Sequence, residues 1–482
     1  MLFNSIDYVI FLPIVVFLFF SLPHQYRRYF LLAASYFFYM CWRPEYVLLI
    51  IYATTIDYFC GIEIEKTQSK RRKKAFLALS IVTNLGLLFY FKYFSFLNES
   101  TRDVFQFFDW AYNMPVLHIL LPVGISFHTF QSLSYTIDVY RGKAEAEKNY
   151  VTLALFVAFF PQLVAGPIER GPHLIPQFLE EKQFSYTRMT NGLRLMMWGF
   201  FKKVVVADRA AVFVNLVYND PNSYSGFQII IATIFFAFQI YCDFSGYSDI
   251  AVGSARIMGY NMMYNFRRPY FATTIKEFWA RWHISLSTWF RDYLYIPLGG
   301  NRVSQPRRYF NLFITFLVSG IWHGANWTFV IWGALHGFYL VFANFLKDIG
   351  LTIRLGSSKV VNLLNYFLQL GITFCLVCFG WLFFRANNVS DAFTLIKRSL
   401  SASKSQLGPY LFGAELMEDL LVLLFFIALL ETIQLLQEKV LSFNRWIPTL
   451  PTVLKWSVYI AGILLILIYG KFEKTQFIYF TF

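Results

Sequence analysis

The sequence predicts an all-α, polytopic membrane protein, and three observations support that prediction. Of its 482 residues, 57% are hydrophobic and only 15% are charged, whereas a soluble globular protein has roughly 25% charged residues. The apolar residues form unbroken runs, close to the roughly 20 residues that a helix needs to cross a bilayer. A membrane β-barrel would show short alternating segments instead, so the runs indicate helices.

We expect about 11 transmembrane helices, with re-entrant or interfacial helices between some of them. The first run has neither a basic n-region nor a cleavage site of small residues, which indicates a retained span and not a signal peptide. The predicted spans lie near residues 7–22, 28–42, 44–60, 76–97, 115–137, 151–166, 226–250, 309–345, 363–385, 418–436 and 453–470.

The net charge of +14 is explained by membrane topology, so we expect no nucleic-acid partner. Basic residues cluster between spans, as the positive-inside tendency requires. The clearest case is "KTQSKRRKK" (66–74), which we expect in the cytoplasm. The segment "QYRRY" (25–29) lies two spans earlier and belongs on the same side, which places the N-terminus outside. A basic cytoplasmic face also attracts a phosphate-bearing donor, although lipid phosphates explain it equally well.

Residues 1–482 are predicted to form a single membrane domain with three blocks. Residues 1–97 and 346–482 are plain helical blocks, whereas residues 115–345 carry polar side chains inside apolar segments. Ionisable groups within membrane segments are rare and are functional candidates by default. The central block is therefore the predicted catalytic part.

The apolar run 309–345 is too long for one span. As a single helix it would extend about 55 Å across a bilayer core of about 30 Å, so it must break, tilt or reverse. The residues that permit a break surround His323 in "SGIWHGANW" (319–327), where Asn326 is also a candidate for lining a tunnel. Irregular backbone inside a membrane is tolerated only where protein or water covers it. This predicts that His323 lies at a helix break within the membrane, facing an aqueous tunnel.

Two charged segments are predicted not to span the membrane. Residues 274–302 form an amphipathic helix followed by a turn, and the helix lies at the interface or dips into the membrane under cover of other helices. Thr274 and Glu277 match a capping box, and His283 lies beside a tryptophan-rich face. Residues 191–213 form a basic amphipathic helix, typical of a cytoplasmic membrane surface.

The remaining polar groups inside apolar segments have two interpretations each. A membrane histidine either makes a structural hydrogen bond between helices or belongs to the site, and both remain open for His118, His128 and His336. Cys375 and Cys378 form C-x-x-C, but inside an apolar helix they are interpreted as buried hydrophobic residues, and we expect no metal site. Five charged residues are interpreted as a structural network, with tunnel-lining as the alternative: Glu169, Arg170, Asp243, Asp249 and Arg256.

Five ordered blocks of the chain resemble the membrane-bound O-acyltransferase family. They are "FFPQLVAGPIER", "YCDFSGYSDIAVGSARIMGY", "NFRRPY", "FWARWHISLSTWFRDYLYIPLGGNR" and "SGIWHGANWTFVIWGALHG". The likeness is greatest to the bacterial branch that contains membrane subunits for O-acetylation of alginate and peptidoglycan. Several long blocks in the same order are far more specific than a single short motif.

This resemblance implies a helical membrane fold with a tunnel, in which His323 is the catalytic histidine and His283 is the second characteristic position. It also implies an acetyl-CoA-type donor, no permanently bound cofactor, and a polysaccharide acceptor on the far side of a bacterial cytoplasmic membrane. Members of this branch usually work with an extracytoplasmic acyltransferase of the serine-hydrolase-like class, and we expect such a partner.

Two alternatives remain at this stage. A non-enzymatic polymer transporter would also need buried polar groups, but it predicts a repeat-related pair of broken helices, and the sequence has one conspicuous break. Transfer of D-alanine from a carrier protein to teichoic acid is the activity of another branch of the family, whose chains are shorter.

The last six residues, "FIYFTF" (477–482), are almost wholly aromatic and apolar, although a free C-terminus is usually polar and frayed. One interpretation is an interfacial turn within an aromatic belt. The other follows from a resemblance to the aromatic C-terminal motif of the family, and makes Tyr479 an acyl relay. A phenol has a pKa of about 10, so a histidine base deprotonates it more readily than a sugar hydroxyl.

If Tyr479 relays acetyl, Tyr479→Phe removes the acceptor hydroxyl and keeps the aromatic ring. We expect polymer-bound, base-labile acetate in the cell envelope to fall to background in this variant. Phe480→Tyr serves as the control, with acetylation expected near the wild-type level. Unchanged acetylation in Tyr479→Phe would leave the tail as an anchor.

Overall fold

The computed structural model describes residues 1–115, 120–164, 166–351, 358–402, 411–439, 447–472 and 477–478. No β-strand occurs in these ranges, and seven of the described helices are long and apolar enough to cross a membrane. The predicted all-helical, polytopic membrane class is therefore confirmed. The number of spans stays a prediction.

The helices follow the apolar runs of the sequence closely. In chain order we number them α1 Ile6–Ser21, α2 His24–Met40, α3 Val47–Lys66, α4 Lys70–Leu88, α5 Phe94–Phe107, α6 Ile125–Tyr140, α7 Tyr150–Ala158, α8 Phe160–Leu163, α9 Gly171–Leu179, α10 Tyr186–Phe200, α11 Asp208–Asn219, α12 Gly226–Ile257, α13 Ile275–Arg281, α14 Ile284–Phe290, α15 Gln305–His323, α16 Trp327–Asp348, α17 Lys359–Arg385, α18 Val389–Leu400, α19 Met417–Lys439 and α20 Thr452–Tyr469.

The chain forms two compact units, each continuous in space but not in sequence. The first unit contains residues 1–196 and 250–263, and the second contains residues 197–249 and 264–482. The two candidate histidines, His283 and His323, both belong to the second unit. The predicted division into three sequence blocks concerns function and stays a prediction.

The predicted span at residues 151–166 is wrong. Helix α7 has only 9 residues, which is about 14 Å at 1.5 Å per residue and too short to cross a bilayer. The helix ends because Phe159 adopts ψ 113°, and the next turn, α8, has Pro161 near its start. Proline lacks the N–H that a continuous helix needs, so an apolar run need not be one helix.

The predicted surface helix at residues 191–213 is also wrong. The segment is divided between α10, a π-helical turn at Phe201–Ala207 and α11. Lys202 and Lys203, which made the segment appear interfacial, are 3% and 1% exposed. Charges are buried only when they are paired, and sequence periodicity gave no sign of the partners described below.

The apolar run 309–345 reverses direction, and glycines make the reversal close. Helices α15 and α16 run antiparallel, with Gly320 facing Gly333. A Cβ atom added to Gly333 would lie 2.6 Å from the Phe316 carbonyl oxygen, and one added to Gly320 would lie 2.4 Å from the Phe329 carbonyl oxygen. Small residues of this kind allow helix backbones to approach closely within membranes.

Gly333→Leu should therefore separate α15 from α16. We expect the variant to lose about 3 kcal/mol or more of stability, since overpacking typically costs 1–3 kcal/mol and the obstructing atom here is backbone. The measurement is the Tm of the purified protein in detergent.

Gly371→Leu is the matched control, because Gly371 lies in α17 and a Cβ atom there meets nothing within 4 Å. Its Tm should stay within experimental error of the wild type. Equal losses in the two variants would show that the hairpin is not held by close glycine packing.

Candidate functional site

His323 is the last residue of α15, and the helix break predicted around it is confirmed. Gly324 follows with extended backbone, and Asn326 starts the return helix as the N-cap of α16. The Asn326 Oδ1 atom accepts a hydrogen bond from the Thr328 N–H at 3.0 Å, and its Nδ2 atom donates to the Asn387 carbonyl at 3.0 Å. These bonds give Asn326 a structural role in the break; they do not test its predicted tunnel-lining role.

Aromatic rings enclose the His323 imidazole. The ring centroids of Trp322, Trp332 and Phe384 lie 4.9, 5.0 and 5.4 Å from it, all with steep interplanar angles. The histidine is 3% exposed. Edge-to-face packing of this kind fixes the orientation of the His323 ring.

His283 lies at a second helix break, where the sequence predicts one continuous helix. That prediction is wrong, because α13 ends at Arg281, α14 begins at Ile284, and His283 has φ +41° between them. Asn265 stabilises the irregular backbone. Its carbonyl accepts from the Ile284 N–H at 2.9 Å, and its Oδ1 accepts from the Ser285 hydroxyl at 2.6 Å.

The predicted N-cap of α13 is confirmed. The Thr274 hydroxyl accepts from the Glu277 N–H at 3.1 Å, while the Glu277 carboxylate accepts from the Thr273 N–H at 2.8 Å. The return bond therefore involves Thr273, one residue earlier than in the standard capping box. This cap fixes where α13 begins, seven residues before the break.

The two breaks bring His283 and His323 together. Their ring centroids are 6.4 Å apart, and His283 is fully buried, with the Phe244 ring 4.6 Å away on another side. The two histidines are 40 residues apart in sequence. The 6.4 Å between their ring centroids lets both imidazoles contact one small reacting group. An enclosed pair of imidazoles is suited to moving a proton where water is excluded.

Lys203 and Lys202 hold the two aspartates that the sequence singled out in α12. Lys203 Nζ pairs with Asp243 at 2.5 Å and with Asp208 at 2.8 Å, and Lys202 Nζ pairs with Asp249 at 2.7 Å. The contacts supply the partners that buried charges require. They favour the structural interpretation of Asp243 and Asp249, and tunnel-lining roles for them stay untested.

The described part of the C-terminal tail also contacts this network. The Ile478 N–H donates to Asp243 Oδ2 at 2.7 Å. Phe477 is fully buried, with its ring centroid 4.5 Å from Tyr247 and 5.6 Å from Phe244. Since Phe244 also contacts His283, the tail is linked through one ring to the histidine pair. Tyr479 lies outside the described residues.

Glu169, Arg170 and Arg256 lie in the first compact unit. Glu169 is fully buried and accepts hydrogen bonds from the Met263 N–H at 2.5 Å and from His173 Nδ1 at 2.7 Å. The bond to Glu169 raises the pKa of His173 above its ordinary value. Arg170 is the N-cap residue of α9, and Arg256 lies in the last turn of α12.

The other membrane histidines are described in part. His336 Nδ1 accepts a hydrogen bond from Trp279 Nε1 at 3.3 Å, which favours the structural interpretation. His128 is 1% exposed, and its role stays open. His118 lies outside the described residues.

Sequence reasoning missed Asn265, Phe244, Trp332 and Phe384, which shape the surroundings of the two histidines. Asn265 belongs to the block "NFRRPY", which contributed to the family resemblance but whose individual residues had no predicted role. The aromatic residues belong to runs in which every position looks equally suited to lipid or core. Periodicity does not distinguish an aromatic side chain that faces a histidine from one that faces lipid.

Comparisons with known proteins agree with this arrangement. The model of the MBOAT, membrane-bound O-acyltransferase family matches residues 147–384, a range that includes both histidines. A probable alginate O-acetylase AlgI of Pseudomonas aeruginosa is 41% identical over 405 residues, covering 84% of this chain and 75% of the relative.

The names of two further relatives mention acceptors other than alginate. A peptidoglycan O-acetyltransferase of Helicobacter pylori is 35% identical, over 76% of this chain and 72% of its own. A teichoic acid D-alanyltransferase of Bacillus subtilis is 28% identical, over 56% of this chain and 70% of its own. The identity with the D-alanyltransferase is both lower and confined to a smaller part of the chain.

Proposed function

Because this chain belongs to the membrane-bound O-acyltransferase family and is thus an O-acyltransferase, we propose that it moves acetyl from a cytoplasmic acetyl-CoA-type donor across the membrane. The acceptor we propose is an extracytoplasmic polysaccharide, alginate-like, peptidoglycan or another envelope glycan. Relatives named for alginate and peptidoglycan acetylation support this substrate class. Family membership argues against the transporter alternative, and the shorter match to D-alanyltransferases argues against D-alanine.

The observation that supports the chemistry is the enclosed pair His283 and His323. We assign His323 as the general base, which removes the proton of the attacking hydroxyl as its oxygen bonds to the thioester carbonyl carbon. The carbon–sulfur bond then breaks, and the same proton passes to the departing thiolate. Histidine suits both transfers because its ordinary pKa is near neutrality.

His283 has a positioning or donor-side role in this proposal. Its left-handed backbone, held by Asn265, aims the ring from a break and not from a helix surface. A residue kept in a strained conformation at a site is often there for orientation. We therefore expect its loss to reduce activity less than the loss of His323.

Placing the base inside the membrane resolves a problem of transport. A carrier with several phosphate charges is too costly to move through lipid, whereas an acetyl group carries no charge. If donor and acceptor each reach the histidine pair from their own side, only acetyl needs to cross. The proposal includes a cytoplasmic-membrane location, an extracytoplasmic N-terminus and a serine-hydrolase-like partner that receives acetyl outside.

The test is His323→Ala beside His283→Ala, with acetate measured on the isolated envelope polysaccharide. We expect His323→Ala to lower the initial rate of acetylation by about 10²–10⁴-fold, the usual contribution of a general base, and His283→Ala to lower it less. Abundance and Tm of the inserted protein should stay near wild type.

His336→Gln is the matched control, since His336 is an equally buried histidine with a structural hydrogen bond. It should retain acetylation per folded molecule. A wild-type amount of polysaccharide-bound acetate in His323→Ala would show that His323 is not the general base. A larger loss in His283→Ala, with normal folding, would exchange the two roles.

A further inference from the structure

Asp57 is a buried carboxylate near the middle of a membrane-spanning helix. It lies ten residues into α3, about 15 Å from the helix start at 1.5 Å per residue, which is half of a bilayer core of about 30 Å. The residue is 1% exposed. A charge at this depth is costly and marks a functional candidate by default, although the sequence placed α3 among the plain spans.

Neutral donors from two neighbouring helices surround the Asp57 carboxylate. From α4, the Ser80 hydroxyl donates to Oδ1 at 2.5 Å, and Asn84 Nδ2 lies 3.0 Å from both oxygens. From α6, the Thr136 hydroxyl donates to Oδ1 at 3.4 Å. Donors that converge on both oxygens stabilise the ionised form, because a protonated carboxyl would oppose one of them with its own hydrogen.

No basic side chain forms an ion pair with Asp57 among the residues that the structure describes. In the second compact unit, by contrast, lysines neutralise the buried carboxylates. The Nζ atoms of Lys202 and Lys203 lie 2.5 to 2.8 Å from the aspartate oxygens. An ionised Asp57 with only neutral donors leaves one negative charge in the apolar interior. Such a charge needs a compensating cation.

The surroundings of Asp57 are rich in hard oxygen atoms. Each hydroxyl that donates to the carboxylate keeps two lone pairs for a cation. Ser132 lies one turn before Thr136 on α6, and its side chain is fully buried. Thr54 lies one turn before Asp57 on α3, and its buried hydroxyl has no hydrogen-bond partner in the described structure. Ligands that are all oxygen favour hard cations over transition metals.

We propose that Asp57, Ser80, Ser132 and Thr136 bind one Na⁺ ion, which neutralises the carboxylate and joins α3, α4 and α6. A single carboxylate matches a monovalent charge. The Ser80 and Thr136 hydroxyls lie 2.5 and 3.4 Å from the carboxylate, so the oxygen ligands are gathered closely, and we expect them to bind the small Na⁺ ion in preference to the larger K⁺. This site is in the first compact unit and does not depend on the acyl-transfer proposal.

The experiment measures ²²Na⁺ binding to the full-length protein in detergent, together with its Tm in NaCl, KCl and choline chloride at equal ionic strength. We expect saturable binding of about one Na⁺ per chain. The Tm should rise with the logarithm of Na⁺ concentration above half-saturation, as ligand linkage requires, and should respond little to K⁺ or choline. Asp57→Asn should abolish both effects.

Two further variants keep the test decisive if Asp57→Asn folds poorly. Thr136→Val removes one ligand and should raise the half-saturating Na⁺ concentration by about tenfold, the lower range for losses around metal sites. Asp138→Asn removes a different buried carboxylate of α6 and should leave Na⁺ binding unchanged. Absence of saturable ²²Na⁺ binding in the wild type, or equal binding in Asp57→Asn, would overturn the proposal.

Discussion

The cost of burying polar groups in an apolar interior is the constraint on which this structure depends. An isolated charge or an unpaired hydrogen-bonding group there costs several kcal/mol, so partners are expected for the polar residues of the membrane segments. Lys203 forms ion pairs with Asp208 and Asp243. The Glu169 carboxylate accepts hydrogen bonds from the Met263 N–H and from His173. These polar residues thus join helices to each other, which is a structural role that is independent of any chemistry.

The same constraint explains how the helix break beside His323 is accommodated. Unpaired backbone groups at a helix end need partners in an apolar interior, and Asn326 accepts a hydrogen bond from one of them, the Thr328 N–H, at the start of α16. Facing glycines then draw α15 and α16 together, so the break is compact and packed. His283 is presented by a second break, which Asn265 supports. Two irregular backbones, each held by an asparagine, bring the imidazoles within 6.4 Å of each other.

Much of this was predictable from sequence because length and hydropathy are strong signals. The run 309–345 exceeds a bilayer by so much that it had to break or reverse, and its glycines marked the place. The resemblance of ordered blocks to a known family singled out both histidines, which the structure places 6.4 Å apart; their roles stay predictions. The split at His283 was not predictable, since Trp282 and its neighbours follow helical spacing through it. The left-handed residue is held by Asn265, through hydrogen bonds to Ile284 and Ser285, which lie 19 and 20 residues later in the chain.

Charge was the least predictable feature. Lys202 and Lys203 look like residues of a membrane surface when only their own segment is considered. Lys203 has one partner, Asp208, within that segment, but Asp243 and Asp249 lie in α12, 40 and 47 residues after the lysines they pair with, and only the tertiary structure shows this pairing. Asp57 was overlooked for the opposite reason, because it is the one charged residue among the first 16 residues of α3 and leaves the span apolar on average.

The central claim is that acetyl crosses the membrane at the histidine pair while its carrier stays in the cytoplasm. Inside-out vesicles that contain the protein, and that enclose both its extracytoplasmic partner and the acceptor polysaccharide, test it directly when acetyl-CoA with ¹⁴C in the acetyl group and ³H in the carrier is added outside. The account predicts that ¹⁴C becomes bound to the enclosed polymer as a base-labile ester, while all ³H remains outside as the free thiol. Entry of ³H together with ¹⁴C, or acetylation only of polymer on the donor side, would contradict it.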